Sequence, residues 1–285
     1  MMASVSGVQP NYKAIVVIAV VLIGAIYLFY SSGKPTKSVF TQYDASSWKS
    51  SALVKIPQEV KEKAKDVKIK ETTLSFTSDG KTYEVFYREA GRDARKSDIP
   101  ILLLHGAGSS SAVWLKINGL KLYAAMGYHV VALDLPGWAK SKGTTIDNDP
   151  KMRAEFLHAF LRQKRMQRPI IVAPSMSGSF SIPYMMQPRP ESCESRMRGF
   201  VPIAPTHTDL YTHAEYHRCD IPTMIVYGEK DKTLGLTSVG NLRNLPKSEI
   251  FMQTQAGHAC EEEKPEEFHV FFYNFLRGVE RENSF

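Results

Sequence analysis

The chain has 285 residues, 43% of them hydrophobic, enough apolar surface for one large α/β domain or two small ones, which excludes a disordered or fibrous class. Its formal charge of +7 is concentrated in residues 1–70, where ten lysines and no arginine face four acids, a balance of +6. The rest of the chain is close to neutral, and without a basic, aromatic-interleaved patch it points to no nucleic-acid partner.

Behind a tail of residues 1–13, the segment AIVVIAVVLIGAIYLFY at 14–30 is uncharged throughout. As a helix it would rise about 26 Å at about 1.5 Å per residue, nearly a bilayer core. The run is longer than the apolar region of a cleaved leader, and only YSSGKPTK follows, so an uncleaved transmembrane signal anchor is expected. Residues 31–66 read as a basic stem with a short helix near 57–65, able to lie against anionic headgroups. The absence of an N-x-[ST] sequon, together with Lys34, Lys37 and Lys49 beyond the apolar run, leans toward a single-pass protein whose main domain faces the cytosol. Cys193, Cys219 and Cys260 show no C-x-x-C spacing and cannot all pair, so neither a structural zinc nor a disulfide framework is expected.

From Val67 the pattern changes, and residues 67–285 read as the folded domain. VKIKETTLSFT and KTYEVFYREA alternate apolar and polar residues around SDG, the signature of an antiparallel hairpin. Then continuous apolar runs follow in PILLLHGAG, YHVVALDLPG, RPIIVAPS, RGFVPIAPT, IPTMIVYGEKD and SEIFMQTQAGH. Such runs suit strands buried on both faces. Amphipathic stretches separate them, among them SAVWLKINGLKLYAAM, DPKMRAEFLHAFLRQKR and KPEEFHVFFYNFLRGVE. Strand alternating with helix predicts a mostly parallel central sheet with helices on both faces.

In open α/β sheets the chemistry lies beyond the carboxyl ends of the strands. PSMSG, EKD and AGH stand at three such ends, so a serine, an acid and a histidine arrive there in that order. The serine register is ambiguous, because Ser175, Ser177 and Ser179 all have small residues two positions away on each side. Pro174 cannot donate to a central ladder and should end its strand, which makes Ser175 the first serine past it and the expected nucleophile, with Ser177 the fallback. His258 is the candidate base and Asp231 the candidate acid, with Glu229 and Asp209 as alternatives. The amides of Ala107, in HGAG, and of Met176 are the expected oxyanion donors. Trp114 and His207 are expected to line the substrate site, His105 to brace the oxyanion loop, and Asp134 to support its own loop. No metal ligand set is read.

The order Ser, Asp, His resembles that of the α/β-hydrolases, and DLPGWAKS resembles the loop after their next strand. Over roughly residues 78–280 the resemblance narrows, through LLLHG, VALDLPG, PSMSG with SIP, GFVPIAP, IVYGEKD and AGHAC, to the α/β-hydrolase domain-containing protein 14 group in its membrane-anchored form. The resemblance implies the same serine, acid and base. It also implies hydrolysis or transfer of acyl groups, including lysine deacetylation with coenzyme A as a possible acyl acceptor, and otherwise no cofactor.

Only HTDLYTHAEYHRCD, residues 207–220, separates two strands where a lid could sit, which predicts a minimal cap, an open site and short acyl groups on a small substrate or an acylated protein. The competing reading is a catalytically silent, membrane-anchored scaffold that keeps only the fold.

Overall fold

The computed structural model describes residues 53–93, 97–187 and 192–282, all within one unit, Trp48–Phe285. The expected anchor at 14–30, its tail and most of the stem lie outside the described residues. Among the described residues no helix is long and apolar enough to cross a membrane.

In chain order the elements are α1 (Gln58–Lys65), β1 (Lys70–Ser78), β2 (Lys81–Ala90), β3 (Ile101–Leu103), α2 (Val113–Lys116), α3 (Gly119–Ala125), β4 (Val130–Leu133), α4 (Pro150–Lys164) and β5 (Ile170–Pro174). They continue with α5 (Gly178–Met186), α6 (Cys193–Arg196), β6 (Gly199–Ile203), α7 (His213–Tyr216), β7 (Thr223–Gly228), α8 (Leu234–Leu242), β8 (Ser248–Gln253), α9 (Cys260–Glu263) and α10 (Pro265–Glu282). Helix α1 falls where the sequence predicts a short helix. Its Ala64 and the preceding Ile56 are buried in the core, so packing begins ahead of Val67, inside the segment read as stem.

The strands form one eight-stranded sheet in the order β1-β2-β4-β3-β5-β6-β7-β8. The expected hairpin pairs Lys70 with Glu89 at its open end and Ser78 with Lys81 at its turn. Asp79 at φ 48° and Gly80 at φ 73° make that turn, both in the left-handed region that two-residue hairpin turns require. β2 is also antiparallel to β4, and every pair from β4 through β8 is parallel. The ladder between β6 and β7 is thin at its middle for a simple reason. Phe200 and Ala204 donate to Pro222 and Val226 carbonyls at 3.0 and 2.9 Å, but Pro202 between them has no N–H to give.

Alternation along the strands feeds two cores. Leu102, Val131, Leu133, Ile171 and Phe200 face Phe156, Phe160 and Phe180 of α4 and α5. Ile101, Leu103, Val130, Val172 and Val201 face Tyr123 of α3 and Phe268 and Phe272 of α10. Side chains of this size contribute roughly 1.5–3 kcal/mol each when fully buried, so both sheet faces are firmly covered. α4 starts as its sequence dictates, with Asp149 capping the Met152 amide at 2.8 Å and Pro150 in the first helical position.

One expectation fails here. Cys193 of α6 and Cys219, just before β7, form a disulfide with Cα atoms 5.7 Å apart. With three cysteines the spacing rule spoke against a framework, but a single bridge needs only two, and the fold brings this pair together while Cys260 stays free and buried.

Candidate active site

The strand β5 ends at Pro174 and the chain turns at once into a single 3-10 turn, Ser175–Ser177, that runs on into α5. Ser175 takes φ 50°, a left-handed conformation that a β-carbon disfavours. Neighbouring backbone holds it there: the Thr206 amide and hydroxyl both donate to the Ser175 carbonyl, at 2.9 and 3.4 Å. Gly178 explains why the turn closes so tightly, since a β-carbon there would fall 2.4 Å from the Thr206 carbonyl oxygen.

The four serines of this stretch now separate. Ser177 donates to the Pro174 carbonyl at 2.7 Å, Ser181 donates to the Ser177 carbonyl at 3.0 Å, and Ser179 accepts from Arg153 at 2.5 Å; all three are buried. Ser175 alone reaches the histidine. Its Oγ lies 2.8 Å from His258 Nε2, and His258 Nδ1 lies 2.6 Å from Asp231 Oδ2.

The loops that carry these groups are stitched to each other. Past β7, the amides of Glu229 and Lys230 donate to the carbonyls of Gln253 and Ala256, at 3.0 and 2.8 Å, and a β-carbon on Gly228 would sit 1.9 Å from the Gly257 carbonyl. Glu229, the rival acid, is turned away to accept from the Gln255 amide at 2.7 Å, and Asp209 is exposed. Burial pushes the Asp231 carboxyl up. The hydrogen bond and charge of His258, with the Gly235 amide and the Thr233 hydroxyl, outweigh that, so it lies below the ordinary carboxylate range.

Beside Ser175 stands the loop after β3. A β-carbon on Gly106 would contact the Ser175 β-carbon at 3.4 Å, which brings the following residue, Ala107, to the rim; Met176 is half-buried against the core. His105 braces this loop as expected. It is fully buried, accepts from the Leu135 amide through Nε2 at 3.0 Å and donates through Nδ1 to the Gly106 carbonyl at 2.8 Å, a pattern that fixes one neutral tautomer, and burial holds its pKa down. Asp134 ties the neighbouring loops, accepting from the Ser111 amide at 2.7 Å and the Lys140 amide at 3.1 Å.

Trp114 does not line the site. Its indole is fully buried, donates to the Leu104 carbonyl at 2.6 Å and packs on Phe268, so an apolar side chain at a helix start has gone into the core. His207 is half-buried one residue beyond Thr206 and in the left-handed region at φ 63°. The anchoring role of Thr206 was missed, because a threonine after an apolar run carries no signal until the elbow beside it is known. Next to the loop, Gly108, Ser109, Ser110, Lys116, Trp138 and Glu262 line an open cavity of about 500 Å³. Among the described residues no group of three or more His, Cys, Asp or Glu could hold a metal ion.

A family model described as the α/β-hydrolase fold matches residues 99–211. Protein ABHD14A of Rattus norvegicus is 37% identical over 193 residues, covering 68% of this chain and 78% of its own length. The human "Putative protein-lysine deacylase ABHD14B" is 36% identical over 198 residues, covering 69% of this chain and 91% of its own. Among solved structures, a predicted CIB-like hydrolase of Thermoplasma acidophilum superposes with a TM-score of 0.64 at 25% identity, over 74% of this chain and all of that one. A serine hydrolase of Cycloclasticus zankles shares the fold, with a TM-score of 0.58 at 15% identity, covering 73% of this chain and 99% of its own. The near-equal identity to the A and B relatives does not single out the membrane-anchored form. With a third of its residues or more held in common with both over two thirds of its length, the chain belongs to the ABHD14 family of α/β-hydrolase-fold proteins.

Proposed function

We propose that the protein is a serine hydrolase that removes short acyl groups, from esters or from lysine amides, through an acyl-enzyme on Ser175. The observation that carries this reading is the continuous line from Ser175 Oγ through the His258 ring to Asp231, with contacts of 2.8 and 2.6 Å. His258 Nε2 takes the hydroxyl proton as Oγ attacks the acyl carbonyl, and Asp231 fixes Nδ1 as the protonated nitrogen and steadies the imidazolium that forms. The amides of Met176 and Ala107 receive the developing oxyanion. Collapse of the tetrahedral intermediate returns the proton to the leaving alcohol or amine. Water, or a thiol such as coenzyme A, then attacks the acyl-enzyme with His258 again as base.

Two features favour short acyl groups. His258 is exposed at the site, and between β6 and β7 the chain forms one four-residue helix and no larger cap. The deacylase name of the human relative agrees with an acyl-lysine substrate.

The decisive experiment labels the full-length protein with a fluorophosphonate. Wild type is expected to take one equivalent and Ser175→Ala none, with acetyl-ester turnover falling by about 10³-fold or more in the variant. A folded wild type that takes no label leaves the silent scaffold as the answer.

A further inference from the structure

Arg153, the fourth residue of α4, is a partly buried cation with no carboxylate partner among the described residues. Its NH1 and Nε donate only to neutral oxygens, Ser179 Oγ at 2.5 Å and the Asp147 carbonyl at 3.3 Å, and its guanidinium lies over the Phe180 ring, 4.8 Å from the centroid. Burial lowers its pKa and nothing among the described residues offsets that cost. A guanidinium has five N–H donors, so capacity is left over.

His207 comes to the same end of α5, because Gly178, the residue before Ser179, abuts Thr206 so closely that a β-carbon there would fall 2.4 Å from its carbonyl. The left-handed backbone of His207 is held from both sides, by Thr206 on Ser175 and by Thr208, whose carbonyl and hydroxyl accept from Tyr216 and Asn241 at 2.9 and 3.0 Å. Strain that neighbours enforce in this way is found where a side chain must be aimed. Nδ1 of His207 is buried and has no partner among the described residues. Burial and then the Arg153 charge lower its pKa, against the pull of Asp209, so the ring is neutral and free to carry its proton on Nδ1.

We propose that Arg153 and His207 form an anion subsite beside Ser175, fitted to an acyl group that ends in a carboxylate. The inference rests on the acyl-hydrolase reading and names its substrate class. Ser179, which anchors Arg153, lies four residues past Ser175 on the helix into which the elbow runs, so the guanidinium is held near the nucleophile, as a short dicarboxylic chain would need. Met176, next to Ser175, is half-buried against the same core face as Phe180, which gives the methylenes in between an apolar surface. The carboxylate gives Arg153 its missing counter-charge, with charge-assisted hydrogen bonds from the guanidinium and from His207 Nδ1.

The test compares the 4-methylumbelliferyl esters of glutarate, with its free carboxylate, and of butyrate on the full-length protein. In wild type the ratio of kcat/KM, glutarate over butyrate, is expected to fall when salt is raised from about 20 to about 500 mM. In Arg153→Gln the ratio should drop about tenfold or more, and Arg153→Lys should recover part of it. A ratio unmoved by salt and by Arg153→Gln, or a variant that loses both esters in proportion, overturns the subsite and leaves Arg153 a tie between α4 and α5. Calorimetry of free glutarate on Ser175→Ala separates the two readings. Binding that disappears on adding Arg153→Gln supports the subsite even if no ester is turned over, in which case the hydrolase reading alone fails. Absence of glutarate binding to Ser175→Ala, with butyrate ester turned over by wild type, overturns the subsite alone.

Discussion

Ser175 is held in a conformation that L-residues seldom adopt, at φ 50°, and the cost of order 1–3 kcal/mol is met by the Thr206 contacts and the tight seat of Gly178. What the strain achieves is exposure. A hydroxyl that would otherwise lie along the first turn of α5 is lifted toward His258, whereas Ser177, Ser179 and Ser181 satisfy their hydroxyls inside the protein. Asp231 acts on the serine only through the imidazole. Asp231→Asn should therefore leave the protein folded and KM for an acetyl ester within a few-fold, while kcat falls by about 10³–10⁴ because the amide favours the wrong tautomer. Steady-state kinetics beside a thermal melt checks this, and a fall in kcat of less than tenfold would remove Asp231 from the proposed mechanism.

At the scale of elements, β7 approaches the histidine loop very closely. Gly228→Ala sets a methyl 1.9 Å from the Gly257 carbonyl, backbone against backbone, so the His258 loop must move. A loss of about 2–3 kcal/mol in denaturant unfolding is expected, with activity reduced beyond the loss of folded protein. The short helix α9 carries a second constraint. Burial raises the Glu261 carboxyl to about 8, with Glu262 and Glu263 adding to the effect, and its Oε2 has no hydrogen-bond partner among the described residues. The folded pKa lies above the unfolded one. The folded state therefore holds the proton between about pH 4.5 and 8, and stability falls as pH rises through that window. Glu261→Gln should raise Tm by several degrees at about pH 8.5 and change it little at about pH 5. Equal shifts at both values would show that packing, not charge, is at issue.

How much of this was legible in the sequence varies by element. The hairpin, the six further strands and the helix near 57–65 were readable because alternation and continuous apolar runs report burial directly. Ser175, Asp231 and His258 stand out because strand ends mark the functional edge of such a sheet. Trp114 misled, since an aromatic at a helix start reads the same whether it faces a cleft or the core. Arg153 gave no sign, because being short of a counter-ion is a property of neighbours that only the folded chain supplies. The cysteine pairing was hidden for the same reason.

For the molecule as a whole, Cys193 and Cys219 close a ring around β6 and the rim that bears His207. A ring spanning 26 residues is worth roughly 3–4 kcal/mol through the unfolded state. Denatured without reductant, the protein should expose one thiol to maleimide, that of Cys260, and after reduction three; three thiols from the start would remove the bridge from the account. A sulfur bond of this kind also carries an address. The glutathione and thioredoxin of the cytosol keep such pairs open, whereas the secretory pathway and the cell exterior preserve them. The bond thus weighs against the cytosolic placement that the missing sequons and the flanking lysines led us to expect.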